Sequence, residues 1–292
     1  MTETERLCTA NGAECFGNVE LLSSGVGRTE ISYGPSNKAM LKKMLPFRAR
    51  FVKEMNWLPE EIVDKTYFEE ALPWLKDLSA DGRQDVDFYD VLDTTLHLAL
   101  MDRDTDEIIA GLRLTCIPSI EDSLSWGMLK NSDDMKRQAY EKKELDNTLV
   151  MDRLNRFAAD GNVWDLTRLV NPLDGGTDFA KVVGGMMELF ATAYGVMRKN
   201  TPPEEWNDIR WVFNGTGMVK AALEHLQIQH DVLAKGQVSK KDVDAYGNVI
   251  NSYFCVVAPE SALRYIQDHA HEQDFVFPYQ HTENGLKKAN AL

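Results

Sequence analysis

Nowhere in the 292 residues is there a run of eighteen apolar side chains, so a membrane-spanning helix is not expected. The opening stretch, MTETERLCTANGAECFG, lacks the apolar core of an export signal, and a cytoplasmic setting follows as the expectation. Cysteine is scarce: Cys8, Cys15, Cys116 and Cys255 stand apart, without CxxC or histidine-partnered spacing. That pattern argues against a disulfide framework or a metal site and for reduced thiols. Positive charge is also short, with 32 Lys and Arg against 46 Asp and Glu, a net −14. Such a field repels phosphate backbones, which disfavours a nucleic-acid partner. The basic residues concentrate in one place, Lys42, Lys43, Arg48, Arg50 and Lys53. This is a solvated helix face or a docking surface.

What remains is an ordinary globular composition, 43% hydrophobic and 27% charged. Residues 1–35 show no periodicity and read as a flexible extension; 36–280 read as a single domain, and 281–292 as a tail. Apolar residues at helical spacing (Met40, Met44, Phe47, Phe51, Met55) predict a helix from Ser36, its N-cap, to Trp57. An acidic helical stretch over 59–78 follows, interrupted at Pro73. TTLHLALMD and IIAGLRLTCI predict a hairpin around DRDTDE. A charged helical region over 121–160 precedes VWDLTRLV, which reads as a strand. Phe179–Arg198 predicts an amphipathic helix, DIRWVFNGTG a strand, MVKAALEHLQ a helix and NSYFCVVAP a last strand. Alternation after a hairpin predicts an α/β fold with helices packed on a central sheet.

Four places carry polar groups that need an explanation. In RARFVKEMNW, Phe51 and Trp57 bracket five residues behind Arg48 and Arg50; an aromatic pair at a helix end is ordinarily core. In DVDFYD, Asp87 and Asp90 flank Tyr89, a spacing common in solvated turns and caps. Arg113 sits inside an apolar strand and needs a carboxylate, a phosphate or water. In VWDLTRLVNP, strand alternation puts Asp165 and Thr167 on one face and Arg168 on the other. A carboxylate beside a hydroxyl suits a general base, and equally an internal hydrogen-bonded pair.

The order of these segments is more informative than any one of them. RARFVKEMNW, DFYD, IIAGLRLTCIPS and VWDLTRLVNP, in that order, resemble the acyl-homoserine-lactone synthases, over roughly residues 40–230. The resemblance implies a GNAT-like three-layer α-β-α fold with a twisted mixed central sheet flanked by helices. It implies two substrates, S-adenosyl-L-methionine and an acyl thioester on acyl carrier protein or coenzyme A, with no cofactor and no metal. Carried over by motif, Arg48, Phe51, Trp57, Asp87, Asp90 and Arg113 fall on the adenosylmethionine side, and Asp165, Thr167 and Arg168 at the reacting centre. The family has Glu where this chain has Asp165 and Ser where it has Thr167. Its arginine lies four positions before the Phe, where this chain has Phe47, so that Arg48 must serve by a one-residue shift. An acyl slot would draw on Met186, Met187, Phe190, Trp211 and Phe213, whose ordinary role is core packing. Transfer to another amine without lactone formation, and a non-catalytic homologue that binds an acyl carrier, are the competing functions. No membrane insertion is expected, and oligomeric state is open.

Overall fold

The computed structural model describes residues 27–54, 72–79, 85–102, 104–130, 144–170, 179–216, 223–224, 228–236, 252–261, 279–282 and 285–288. Among the described residues, the strands are β1 (Gly27–Tyr33), β2 (Thr95–Asp102), β3 (Ile108–Cys116), β4 (Val163–Val170), β5 (Arg210–Thr216), β6 (His230–Gly236), β7 (Ser252–Val257), β8 (Tyr279–Thr282) and β9 (Gly285–Lys288). The longer α-helices among them are α1 (Lys38–Glu54), α2 (Leu124–Lys130), α3 (Glu144–Ala159) and α4 (Phe179–Asn200). The first seven strands make a mixed sheet in the order β1-β2-β3-β4-β5-β7-β6, which gives the α/β class expected; β8 and β9 pair separately. No described helix is long and apolar enough to cross a membrane.

The described residues divide into two compact units. The first holds 27–115, 168–196 and 279–288, and the second 116–167 and 197–261. In the first, β1, β2 and β3 run antiparallel, with Ala99 opposite Gly111 and His97 opposite Arg113. Since opposed residues share a face, His97, Ala99, Met101, Gly111 and Arg113 look the same way. Onto that face packs the buried stripe of α1: Leu41, Met44, Leu45 and Arg48, at spacings of three, four and seven. Gly111 makes the close approach possible, because a Cβ there would lie 3.2 Å from the Met44 methyl. Trp74, Leu75 and Val86 complete this core.

In the second unit, β4 and β5 run parallel and β5, β7 and β6 antiparallel. Its core joins Leu154 and Ala158 of α3 to Val163, Val212, Phe254 and Val256 of the strands.

Three expectations are corrected. Residues 27–33, read as part of a flexible extension, form β1, whose alternation is too short and polar to register as a strand. The N-cap of α1 is Asn37, whose Oδ1 accepts from Met40 N at 3.1 Å, while Ser36 Oγ accepts from Tyr33 N. Gly285–Lys288 of the expected tail pairs with Tyr279–Thr282 as a small hairpin.

Candidate functional site

The first unit contains a buried charged network. Arg48, one turn beyond Met44 on α1, is fully buried; its Nε donates to Asp85 at 2.7 Å and its Nη1 to Asp90 at 2.7 Å. Arg113 of β3 is also fully buried and donates to Asp87 at 2.6 and 2.9 Å and to Asp90 at 2.8 Å. Arg168 lies 2.8 Å from Asp85 and 3.3 Å from Asp87. Three guanidinium groups thus meet three carboxylates, so each buried ion has an opposite partner and the network carries no net charge.

The D-x2-D spacing produces this geometry locally. Phe88–Val91 is a single 3-10 turn in which Asp87 Oδ1 accepts from Tyr89 N, while Asp90 Oδ2 accepts from Asp87 N. This reciprocal cap fixes both carboxylates. Of the two ordinary readings of this spacing, solvated turn or cap, the structure shows the cap, and the same carboxylates also face arginine.

Arg168 has φ of 53°, the left-handed region unusual for a side chain with a Cβ. The positive φ ends the regular alternation of the strand at the residue that reaches the aspartates. Ionisation follows the geometry. Burial alone would push Arg48 and Arg113 down, yet the facing aspartates outweigh it and raise both. Burial would likewise raise Asp90, but Arg48 and Arg113 hold it well below the usual carboxylate range. His97, buried opposite Arg113, is lowered to about 4 by burial and is neutral at pH 7. Burial is also the largest influence on Arg168, moving it down. The wet end of the network is Asp87 and Arg168, whose side chains are 24% and 26% exposed.

The second unit holds a carboxylate of another kind. Asp165 is 1% exposed and accepts from Ser125 Oγ at 2.6 Å, Ser125 N at 3.2 Å and Ser123 Oγ at 3.1 Å. Ser123 also receives Trp126 N, so that it caps α2 while holding Asp165. Asn214 of β5 donates its Nδ2 to Ser125 O at 2.7 Å. Asp165 and Thr167 remain residues of one strand, Asp165 buried and Thr167 half-buried.

The remaining sequence-derived residues fall as follows. Phe51 is half-buried on α1 and Phe190 half-buried on α4. Trp211 and Phe213 are buried in the second unit, where Trp211 Nε1 lies 3.0 Å from Met197 Sδ. Met186 and Met187 belong to α4, but their side chains, like Trp57, lie outside the described residues. In the basic stretch, Lys42 pairs with Asp77 and Lys43 with Asp106, Arg48 is buried and Arg50 is exposed. Among the described residues no cluster of His, Cys, Asp or Glu could hold a metal ion.

Sequence reading missed Asp85, His97, Ser123, Ser125 and Asn214. Asp85 sits two positions before Asp87, and His97 is the lone imidazole in an apolar strand; both were visible signals. Ser123, Ser125 and Asn214 gave none, since serine and asparagine are ordinary in turns and at strand ends.

No family model and no curated protein matches the chain. Solved structures that it resembles include TofI in a ternary complex with an inhibitor and MTA, at 16% identity over 82% of this chain and 95% of that one, TM-score 0.46. The acyl-homoserine-lactone synthase LasI aligns at 13% identity over 79% and 90%, TM-score 0.44. The CoA-dependent acyl-homoserine lactone synthase BjaI, with SAM and isopentyl-CoA, aligns at 14% identity over 82% and 87%, TM-score 0.42.

Proposed function

We propose that the chain is an acyltransferase, an acyl-homoserine-lactone synthase that uses S-adenosyl-L-methionine and an acyl thioester. The observation that carries the reading is the wet end of the arginine–aspartate network. Asp87 and Arg168 present a carboxylate and a guanidinium side by side, the complement of an α-amino acid's ammonium and carboxylate. Behind them, Arg48, Arg113, Asp85 and Asp90 satisfy one another, so the exposed pair is held rigid before a ligand arrives. The ordered set of sequence segments supports the same reading independently.

The proposed chemistry uses groups this chain supplies. The α-amino nitrogen attacks the thioester carbonyl, its proton passes to Asp165 directly or through one water, and the thiol leaves. A free α-amino group titrates near pH 8, so a carboxylate base needs to remove a proton only during attack (pKa about 7.7–8.0). The substrate carboxylate then displaces methylthioadenosine from the γ-carbon and closes the lactone. Arg168, and Thr167 beside it on β4, orient the reactants; Trp57 and Phe51 are assigned to the sulfonium, for which an aromatic face contributes about 0.5–2 kcal/mol. Phe190, Trp211, Phe213 and Met187 are assigned to the acyl chain. The donor is an acyl carrier protein or coenzyme A thioester, and the protein acts in the cytoplasm.

Purified protein is incubated with adenosylmethionine and a series of acyl-coenzyme A and acyl-carrier thioesters. Stoichiometric free thiol and methylthioadenosine are expected. Thiol release with another amine, and no methylthioadenosine, would replace the reading by simple N-acylation; no turnover with any thioester would leave a carrier-binding homologue.

A further inference from the structure

A polar chain within the second unit ties the motif residue Asp165 to two residues outside the sequence motifs. Asn214 Nδ2 donates to Ser125 O at 2.7 Å, and Ser125 gives both its backbone N and its hydroxyl to Asp165, the hydroxyl at 2.6 Å. Ser125 is 3% exposed and Asp165 1% exposed, so neither group exchanges these partners for water. We infer that Ser125 is the positioning residue for the Asp165 carboxylate and that Asn214 fixes Ser125 in turn. This rests on the base role proposed above for Asp165.

Capping of α2 does not require this arrangement. Ser123 Oγ already accepts from Trp126 N, and Asp165 Oδ2 already accepts from Ser125 N. The Ser125 hydroxyl adds a separate bond to the other oxygen, Oδ1, and so fixes the rotation of the carboxylate as well as its place. These hydrogen bonds from neutral donors aim and stabilise the ionised carboxylate. The orientation of the Asn214 amide is set by its bond to a carbonyl, which only the NH2 group can make. Its Oδ1 is left buried, with no hydrogen-bond partner among the described residues. A buried acceptor without a donor is unfavourable by about 1–3 kcal/mol.

The test compares Ser125→Ala, Ser125→Thr, Asn214→Ala and Asp165→Asn with the parent protein. Ser125→Ala is expected to lower kcat roughly 10- to 100-fold while both KM values stay within about threefold, because a misaimed base affects the chemical step alone. Ser125→Thr, which keeps the hydroxyl, should return kcat to within about threefold of the parent. Asn214→Ala removes the same support from its other end and should lower kcat in the same direction. Crystal structures supply a readout that needs no activity: the Asp165 carboxylate should turn away from its position in Ser125→Ala and return in Ser125→Thr. An unmoved carboxylate together with parental kcat in Ser125→Ala overturns the inference. Equal losses in the Ala and Thr variants, with both proteins destabilised, would reduce Ser125 to packing and overturn it also. If Asp165→Asn retains parental kcat, the base assignment fails, while the crystal structures still decide whether Ser125 positions the carboxylate.

Discussion

In the first unit three arginines face three aspartates, whereas in the second Asp165 is held by two serine hydroxyls and a backbone N–H. Both arrangements keep carboxylates out of water, but they do so with different consequences. Opposite charge neutralises Asp90 and drives its proton affinity far down, which suits rigid support and excludes proton transfer. Serine hydroxyls and a backbone N–H fix the position and the rotation of the Asp165 carboxylate. On the function proposed above, the difference separates a binding framework from a base.

The comparison is most strongly tested at the centre of the charged network. Arg113→Met leaves Asp87 and Asp90 facing a methyl group, and unfolding stability is expected to fall by about 3–5 kcal/mol in urea denaturation. A loss below about 1 kcal/mol would show that the network is not desolvated as the burial indicates. The same change in character is expected in reverse at Asp165. Asp165→Asn should lower turnover at least about 100-fold and cost only about 1–2 kcal/mol of stability. Unchanged turnover would make Asp165 a cap and nothing more.

Acid sensitivity should separate the two regions further. His97 titrates near 4 when folded, against 6.5 for the free side chain. Between those values the unfolded chain binds a proton that the folded chain refuses, so stability declines as pH falls through this window, by up to about 3 kcal/mol. Asp90 adds a second loss below the ordinary carboxylate pKa, because its folded value is depressed. His97→Gln should flatten the slope between pH 6.5 and 4 in urea midpoints; an unaltered slope would place the titrating group elsewhere. The smallest effect concerns Arg168. Arg168→Ala and Arg168→Gly both remove the guanidinium, and the KM for adenosylmethionine should rise about tenfold in each. The glycine variant should be the more stable by about 1 kcal/mol, since φ of 53° disfavours any Cβ. Equal stabilities would mean that the backbone relaxes once the side chain is gone.

Much of the first unit was legible because its signals are local. Arg113 in an apolar strand needed a carboxylate, a phosphate or water, and the structure answers with the two carboxylates of D-x2-D, set by a capping geometry that four consecutive residues determine. The offset arginine was resolved by helix periodicity: Arg48 continues the stripe of Leu41, Met44 and Leu45, so it faces inward although Arg50 is the other candidate nearby. The positive φ of Arg168 was not legible, since arginine is not a residue type that announces the left-handed region. Asp165 was singled out correctly as a buried carboxylate, but its partners lie 40 and 42 positions earlier in the chain. The sequence itself offered Thr167 as the nearby hydroxyl.

Taken alone, the order of residues determined which charges must leave water and which short-range caps could hold them, because burial and capping depend on neighbours within a few positions. Tertiary structure decided which acid each arginine received and gave Asp165 its serines. Those bonds close loops of tens of residues, and chain statistics impose no preference among the polar side chains that folding could bring to the same place.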